Sequence, residues 1–343
     1  MSVTILDIAK EAGVSKSTVS LVINNSEDVK ISTRYKVQQA IDKLGYVPNL
    51  AARELTTNRS QTLGMIFLTS NHLKKPYGFD SVAETLFYDT SNSIYTALKN
   101  TNYTLLVERF SLSGGFDSMP DLIKTRKLCG VFLIGGLFTG DFIKELQKYD
   151  LPIVIIGRRY EGLDSVSVDV EQVGNMGITY LMKQNFTKIA FINGPETSEN
   201  SQKKLAGVKK ALQDLNVGPN TVKTAFASDY SGQEGYKAFQ KLWDKGFRPE
   251  AVFGASDGIT AGIMRFIYEN NIRVPDDISV LGYEDSILSE YSTPALSVID
   301  GHKEVMGEEA YKMIIKRIKK PRAKTIELTI PPTLILRDSI RGK

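Results

Sequence analysis

The stretch ILDIAKEAGVSKSTVSLVINN, residues 5–25, decides how this chain is read. Ile5, Ile8, Ala9 and Ala12 recur at the spacing of one helix face, behind a Thr4 suited to cap the helix start. Gly13 supplies a residue that tolerates the left-handed conformation in which helices commonly end. Ser15 then caps a second, short helix from Lys16 to about Ile23, with Val19 and Val22 turned inward. Further along, Ser32 or Thr33 opens a third helix. Its Val37, Ala40, Ile41 and Leu44 form a buried stripe before Gly45 stops it. Three short helices with a tight glycine turn between the first two are the ingredients of a helix-turn-helix domain.

Beyond this region Pro48 breaks the chain, LAAREL (50–55) has the length of one short helix, and TTNRSQT (56–62) has no apolar period and reads as a linker. From Leu63 the texture changes. Short apolar runs at 63–68, 104–107, 130–134, 152–157, 188–194, 251–256 and 278–283 alternate with helical stretches near 90–100, 140–149, 172–184, 202–215, 232–245 and 258–270. Apolar strands alternating with amphipathic helices predict parallel sheets covered on both faces. About 280 residues are too many for one such sheet, so two α/β subdomains are expected. A last helix, 304–319, precedes two β-like runs around Pro331 and Pro332.

Composition narrows the function classes. The 343 residues are 42% hydrophobic and 24% charged, an ordinary globular balance. No apolar run is long enough to span a membrane. The start lacks a basic segment followed by an apolar one, and a lone Cys129 forms no internal disulfide, so a reducing cytoplasm is expected. A net charge of +4 is weak evidence for nucleic acid, and the first 60 residues carry only eight Lys and Arg against six Asp and Glu. The case for DNA therefore rests on pattern. Enzyme chemistry finds little support. His72 and His302 are the only histidines and lie apart from Cys129, and no phosphate-binding or dinucleotide-binding glycine motif occurs. No catalytic residue, metal site or cofactor is expected. A periplasmic-type binding protein is the serious rival for residues 63–343, and the N-terminal motif argues against it.

Residues 5–25 closely resemble the signature of the lactose/galactose repressor family. The resemblance continues through KVQQAIDKLGYVPNLAARELTTNRSQTLGMIF (36–67), FGASDGITAGIMRFIYENNIRVPDDISVLGYED (253–285) and IPPTLILRDS (330–339), and is poor between about 70 and 130. It implies a small all-α helix-turn-helix headpiece, residues 1–58, with a hinge helix at about 50–56. Residues 59–343 would form a core like a periplasmic binding protein, of two doubly wound subdomains. The subdomain boundary is expected near 160, with further crossovers near 290 and 322. The resemblance further implies a homodimer on an inverted-repeat operator, a repressor of sugar-utilisation genes, and a small sugar or sugar-phosphate effector in the interdomain cleft.

The second helix is expected in the major groove, where Lys16, Ser17 and Leu21 would face the bases. Lys16 suits guanine O6 and N7, whereas Thr4, Thr18, Ser20, Asn24 and Asn25 suit phosphate or sugar, with Ser15 at the helix start beside them. Many relatives carry arginine where this chain has Leu21. A leucine can only pack on a thymine methyl or a sugar edge, unless it belongs to the headpiece core. In the hinge, Ala52 allows close approach and Leu55 would wedge into the minor groove. Around the effector, the resemblance points to Phe87, Arg158, Lys204, Tyr230, Ser256, Asp257 and Glu284. Lys204 stands where arginine is usual, and Gly157 replaces a common acidic residue. Two readings of Arg158, Arg159 and Lys204 stay open: binding groups for an acidic effector, or partly solvated rim charges. The basic run KRIKKPRAK (316–324) reads as a solvated helix end whose charges complement the dipole.

Overall fold

The computed structural model describes residues 3–23, 26, 28–46, 60–69, 82–111, 119–125, 128–135 and 139–342. The chain divides into two units between Ser60 and Gln61. In the first, α1 (Ile5–Ala12), α2 (Lys16–Ile23) and α3 (Ile31–Leu44) surround Ile8, Val19 and Val37, which are fully buried. Local chemistry sets the ends. The Thr4 backbone N–H and hydroxyl both donate to the Asp7 carboxylate, at 2.8 and 2.7 Å, closing the start of α1. Gly13 takes φ +65° at its end.

The second unit holds two six-stranded sheets. The first comprises β1 (Thr62–Thr69), β2 (Thr104–Ser111), β3 (Gly130–Ile134), β4 (Ile153–Ile156), β5 (Asp164–Val168) and β11 (Glu327–Ile330), all parallel, in the order β11-β5-β4-β3-β1-β2. The second comprises β6 (Ile189–Asn193), β7 (Val222–Phe226), β8 (Ala251–Gly254), β9 (Ser279–Tyr283), β10 (Ser297–Asp300) and β12 (Thr333–Ile335). Its order is β12-β10-β9-β8-β6-β7, and only β12 runs antiparallel.

Continuous apolar strands need cover on both faces, and the helices provide it. On β1, Leu63, Met65 and Phe67 face a core shared with α4 (Val82–Leu98) and α12 (Lys303–Lys319, after the short α11, Ile287–Glu290), while Ile66 and Leu68 face α5 (Asp121–Lys124) and α6 (Gly140–Gln147). On β6, Ile189 and Phe191 face α7 (Val170–Lys183) and α8 (Glu199–Asp214), and Ala190 and Ile192 face α9 (Gly232–Asp244) and α10 (Asp257–Glu269). The α7–α8 contact is backbone-close: a Cβ on Gly207 would lie 1.9 Å from the Glu171 carbonyl oxygen, and one on Gly174 would lie 2.0 Å from that of Lys204. The Lys204 backbone is thereby held against α7.

The chain crosses between subdomains at residue 169, at 301–302 and at 331–332, each about ten residues beyond the positions expected. The reason is pairing: β5 stays on β4, β10 on β9 and β11 on β5 before the chain leaves each sheet. Within the basic C-terminal run, Lys316, Lys319, Lys320, Arg322 and Lys324 are exposed as expected, and Arg317 departs from that reading. Arg317 is a staple rather than a solvated charge, clamping the buried Asp164 carboxylate at 2.8 and 2.9 Å and donating to the Pro321 carbonyl at 3.0 Å.

Candidate functional site

The headpiece presents one polar face on α2. Ser15 accepts from the Thr18 backbone N–H at 3.1 Å and so caps the helix, while Lys16 and Ser17 are exposed and Thr18 and Ser20 half-buried. Leu21 is 41% exposed against 0% and 4% for Val19 and Val22, which places it outside the headpiece core. Thr4 sits at the cap of α1, its hydroxyl engaged by Asp7. Asn24, Asn25, Ala52, Leu55 and the expected hinge helix lie outside the described residues.

In the second unit the polar constellation gathers at the carboxyl ends of the second sheet's strands. Strand order there reverses between β6 and β8, the position where open α/β sheets leave a crevice. Ser256 caps α10 by accepting from the Ile259 N–H at 3.2 Å, and this places Asp257 at the first turn of the helix. Tyr230, after β7, bonds through its hydroxyl to Ser198 and Ser201 at 2.8 and 2.9 Å. Glu284 follows β9 at φ +82°, in the left-handed region, a strained setting for a non-glycine residue of the kind that gathers at functional sites. Its own N–H is fixed by the Ile299 carbonyl at 2.7 Å.

Lys204, Asp257 and Glu284 are all buried, so their charges interact strongly. Lys204 donates to the Ala255 carbonyl at 2.7 Å and lies 4.3 Å from the Tyr283 ring centroid. Burial lowers its pKa to about 8, against the opposing pull of Glu284. Burial also raises Asp257, to about 8, and the negative charge of Glu284 adds to the effect. The group that organises these charges is one the sequence reading missed. Lys303, the first residue of α12, places Nζ 2.5 Å from Glu284, 3.6 Å from Asp89 of α4 and 3.8 Å from Asp257. Burial would push its ammonium down, but Glu284, Asp257 and Asp89 together hold it above its ordinary value. One signal was available: a lysine at a helix N-terminus opposes the helix dipole and needs a reason.

Two expected effector residues have other partners. Phe87 packs its ring on Phe67 at 4.9 Å and belongs to the first sheet's core. Arg158 pairs with Glu199 at 3.3 Å, linking the end of β4 to the start of α8, and Arg159 pairs with Glu327. Tyr230, Lys204, Ser256, Asp257 and Glu284 do converge.

A helix-turn-helix unit followed by a two-sheet unit with a buried polar cluster at its strand ends is the architecture of a DNA-binding regulator with an effector domain. The profile of bacterial regulatory proteins of the lacI family matches residues 4–49, and that of the periplasmic binding protein-like domain matches residues 178–340. The HTH-type transcriptional repressor PurR of Edwardsiella ictaluri (strain 93-146) is 30% identical over 342 residues, covering 98% of this chain and 96% of its own. The probable HTH-type transcriptional repressor ExuR of Bacillus subtilis (strain 168) is 27% identical, covering 99% and 98%. Among solved structures, the transcriptional regulator CelR–cellobiose complex superposes with a TM-score of 0.70 at 26% identity, covering 98% of this chain and 99% of that one. The lac repressor dimer bound to operator and the anti-inducer ONPF gives 0.77 at 23% identity, covering 99% of each chain. The chain belongs to the LacI family of bacterial regulatory proteins. It is a DNA-binding transcriptional regulator and not an enzyme.

Proposed function

We propose that this protein represses sugar-utilisation genes as a homodimer. In this reading the α2 helices of two headpieces occupy an inverted-repeat operator, and an uncharged sugar in the cleft controls them. The observation that carries the effector reading is the convergence of the buried Lys204, Asp257 and Glu284 with the half-buried Tyr230 ring at the strand ends. Carboxylates and an ammonium suit vicinal hydroxyls, and a ring covers the C–H face of a sugar. A sugar phosphate is disfavoured, because Arg158 and Arg159 have carboxylate partners. CelR in complex with cellobiose and the lac repressor dimer on operator DNA lend the effector class and the dimer their precedent.

The exposed Leu106 and Val107 of the edge strand β2, with Tyr88 and Tyr95 of α4, favour a partner subunit, since exposed apolar edges invite pairing. On DNA, Lys16, Ser17 and Leu21 would read bases, Thr4, Ser15, Thr18, Ser20, Asn24 and Asn25 would position, and Ala52 and Leu55 would enter the minor groove. The protein would act in the cytoplasm; among the described residues no helix is long and apolar enough to cross a membrane.

Thermal unfolding across neutral sugars and sugar phosphates tests the effector reading. A binder at about 100 times its Kd stabilises by roughly 2.7 kcal/mol. A shift with neutral sugars supports it, a shift confined to phosphorylated ones redirects it, and no shift rejects it.

A further inference from the structure

Lys303 stands just past the second crossover, on a helix that packs with the first sheet's core, yet its shortest ion pair is to the other subdomain. Its ammonium has a choice of partners. Glu284 and Asp257 belong to the second subdomain, at 2.5 and 3.8 Å, and Asp89 of α4 belongs to its own, at 3.6 Å. Lys303 and Glu284 are 6% and 4% exposed, so water competes weakly for either charge. Asp257 Oδ2 and Glu284 Oε2 are both buried without a hydrogen-bond partner, so both carboxylates depend on the ammonium for compensation. Three carboxylates around one ammonium form an arrangement with two anchorages for a single cation, one on each side of the cleft.

We propose that Lys303 is a positioning residue that clasps the two subdomains: it holds Glu284 while the cleft is empty and retreats to Asp89 when a ligand takes Glu284. Both partners already lie within 3.6 Å of the one Nζ, so a small shift of the Lys303 side chain exchanges which carboxylate it holds more closely. A ligand hydroxyl that bonds Glu284 competes directly for the carboxylate now closing the clasp, so occupancy and subdomain angle are coupled by the differential contacts that such a shift requires. The release step rests on the effector reading above, whereas the clasp itself is a property of the ligand-free chain.

The test measures the distance distribution between subdomains by pulsed electron spin resonance on the ligand-free full chain. Spin labels are placed at the exposed positions Lys144→Cys and Lys241→Cys in a Cys129→Ser background. Lys303→Met and Glu284→Gln should both shift or broaden the distribution, and Lys303→Arg should restore it. Asp89→Asn removes a contact within Lys303's own subdomain and none across the cleft, so it should leave the distribution as in the parent. Lys312→Met, an exposed charge on the same helix, is the control. If Lys303→Met does not fold, Glu284→Gln carries the test, since it keeps the shape of the side chain. Superposition of both variants on the parent overturns the clasp and leaves the sugar reading untouched. Failure of the sugar panel rejects the sugar reading and leaves the clasp to this measurement.

Discussion

The headpiece and the effector crevice are built from opposite kinds of contact. In the headpiece one short helix carries the candidate base-reading residues Lys16, Ser17 and Leu21, the caps come from neighbours three residues away, and the core is closed by residues 8 to 40. In the crevice the interacting charges come from four separate elements, α4, α10, α12 and the turn after β9, and meet only because two sheets and a crossover bring them together. Side chains presented by a local element can be placed from periodicity. Side chains that neutralise one another across elements cannot, because their partners are chosen by packing.

A core substitution should separate the two units most strongly. Phe253 is fully buried and packs on Phe191 at 5.2 Å, so Phe253→Ala should destabilise the second unit by about 3–5 kcal/mol. Hydrogen exchange should show α1 to α3 keeping their own protection; joint loss would mean that the two units fold as one.

Asp257 offers the next largest effect, through pH. Its folded pKa, about 8, lies above the ordinary aspartate value, so the folded chain retains a proton that the unfolded chain has lost. Stability must therefore fall as pH rises from about 4 to 8, by on the order of a few kcal/mol. Lys204, lowered to about 8, acts in the next window: stability rises from about 8 towards 10.5, where the unfolded lysine still binds its proton. Asp257→Asn should flatten the first slope in a urea-melt series and leave the second; an unchanged first slope would mean that another group supplies it.

Leu21→Arg sharpens the headpiece side of the comparison. A guanidinium on this exposed position should gain a guanine contact of about 1–3 kcal/mol and change the preferred base in operator selection. An unchanged preference would remove Leu21 from the reading face. The smallest expected effect belongs to Thr4→Ala. Loss of the hydroxyl's hydrogen bond to Asp7, with the backbone N–H bond kept, should cost the headpiece about 1 kcal/mol without altering the stability of the second unit.

The sequence by itself placed the three headpiece helices with their glycine and serine ends, the alternation of strand and helix, and the inward Val19 and Val22, because each follows from spacing and backbone propensity within a few residues. It also marked Lys204, Tyr230, Asp257 and Glu284, through motifs rather than through contacts. Tertiary structure decided the rest. It moved the three crossovers outward, because strand pairing and not composition determines when a chain leaves a sheet. It turned Arg158 and Arg317 from loose cations into paired ones and drew Phe87 into a core. It made Lys303 the centre of the cleft. A lysine's role depends on which carboxylates surround it, and those of Asp89, Asp257 and Glu284 come within reach only when both subdomains have folded around the second crossover.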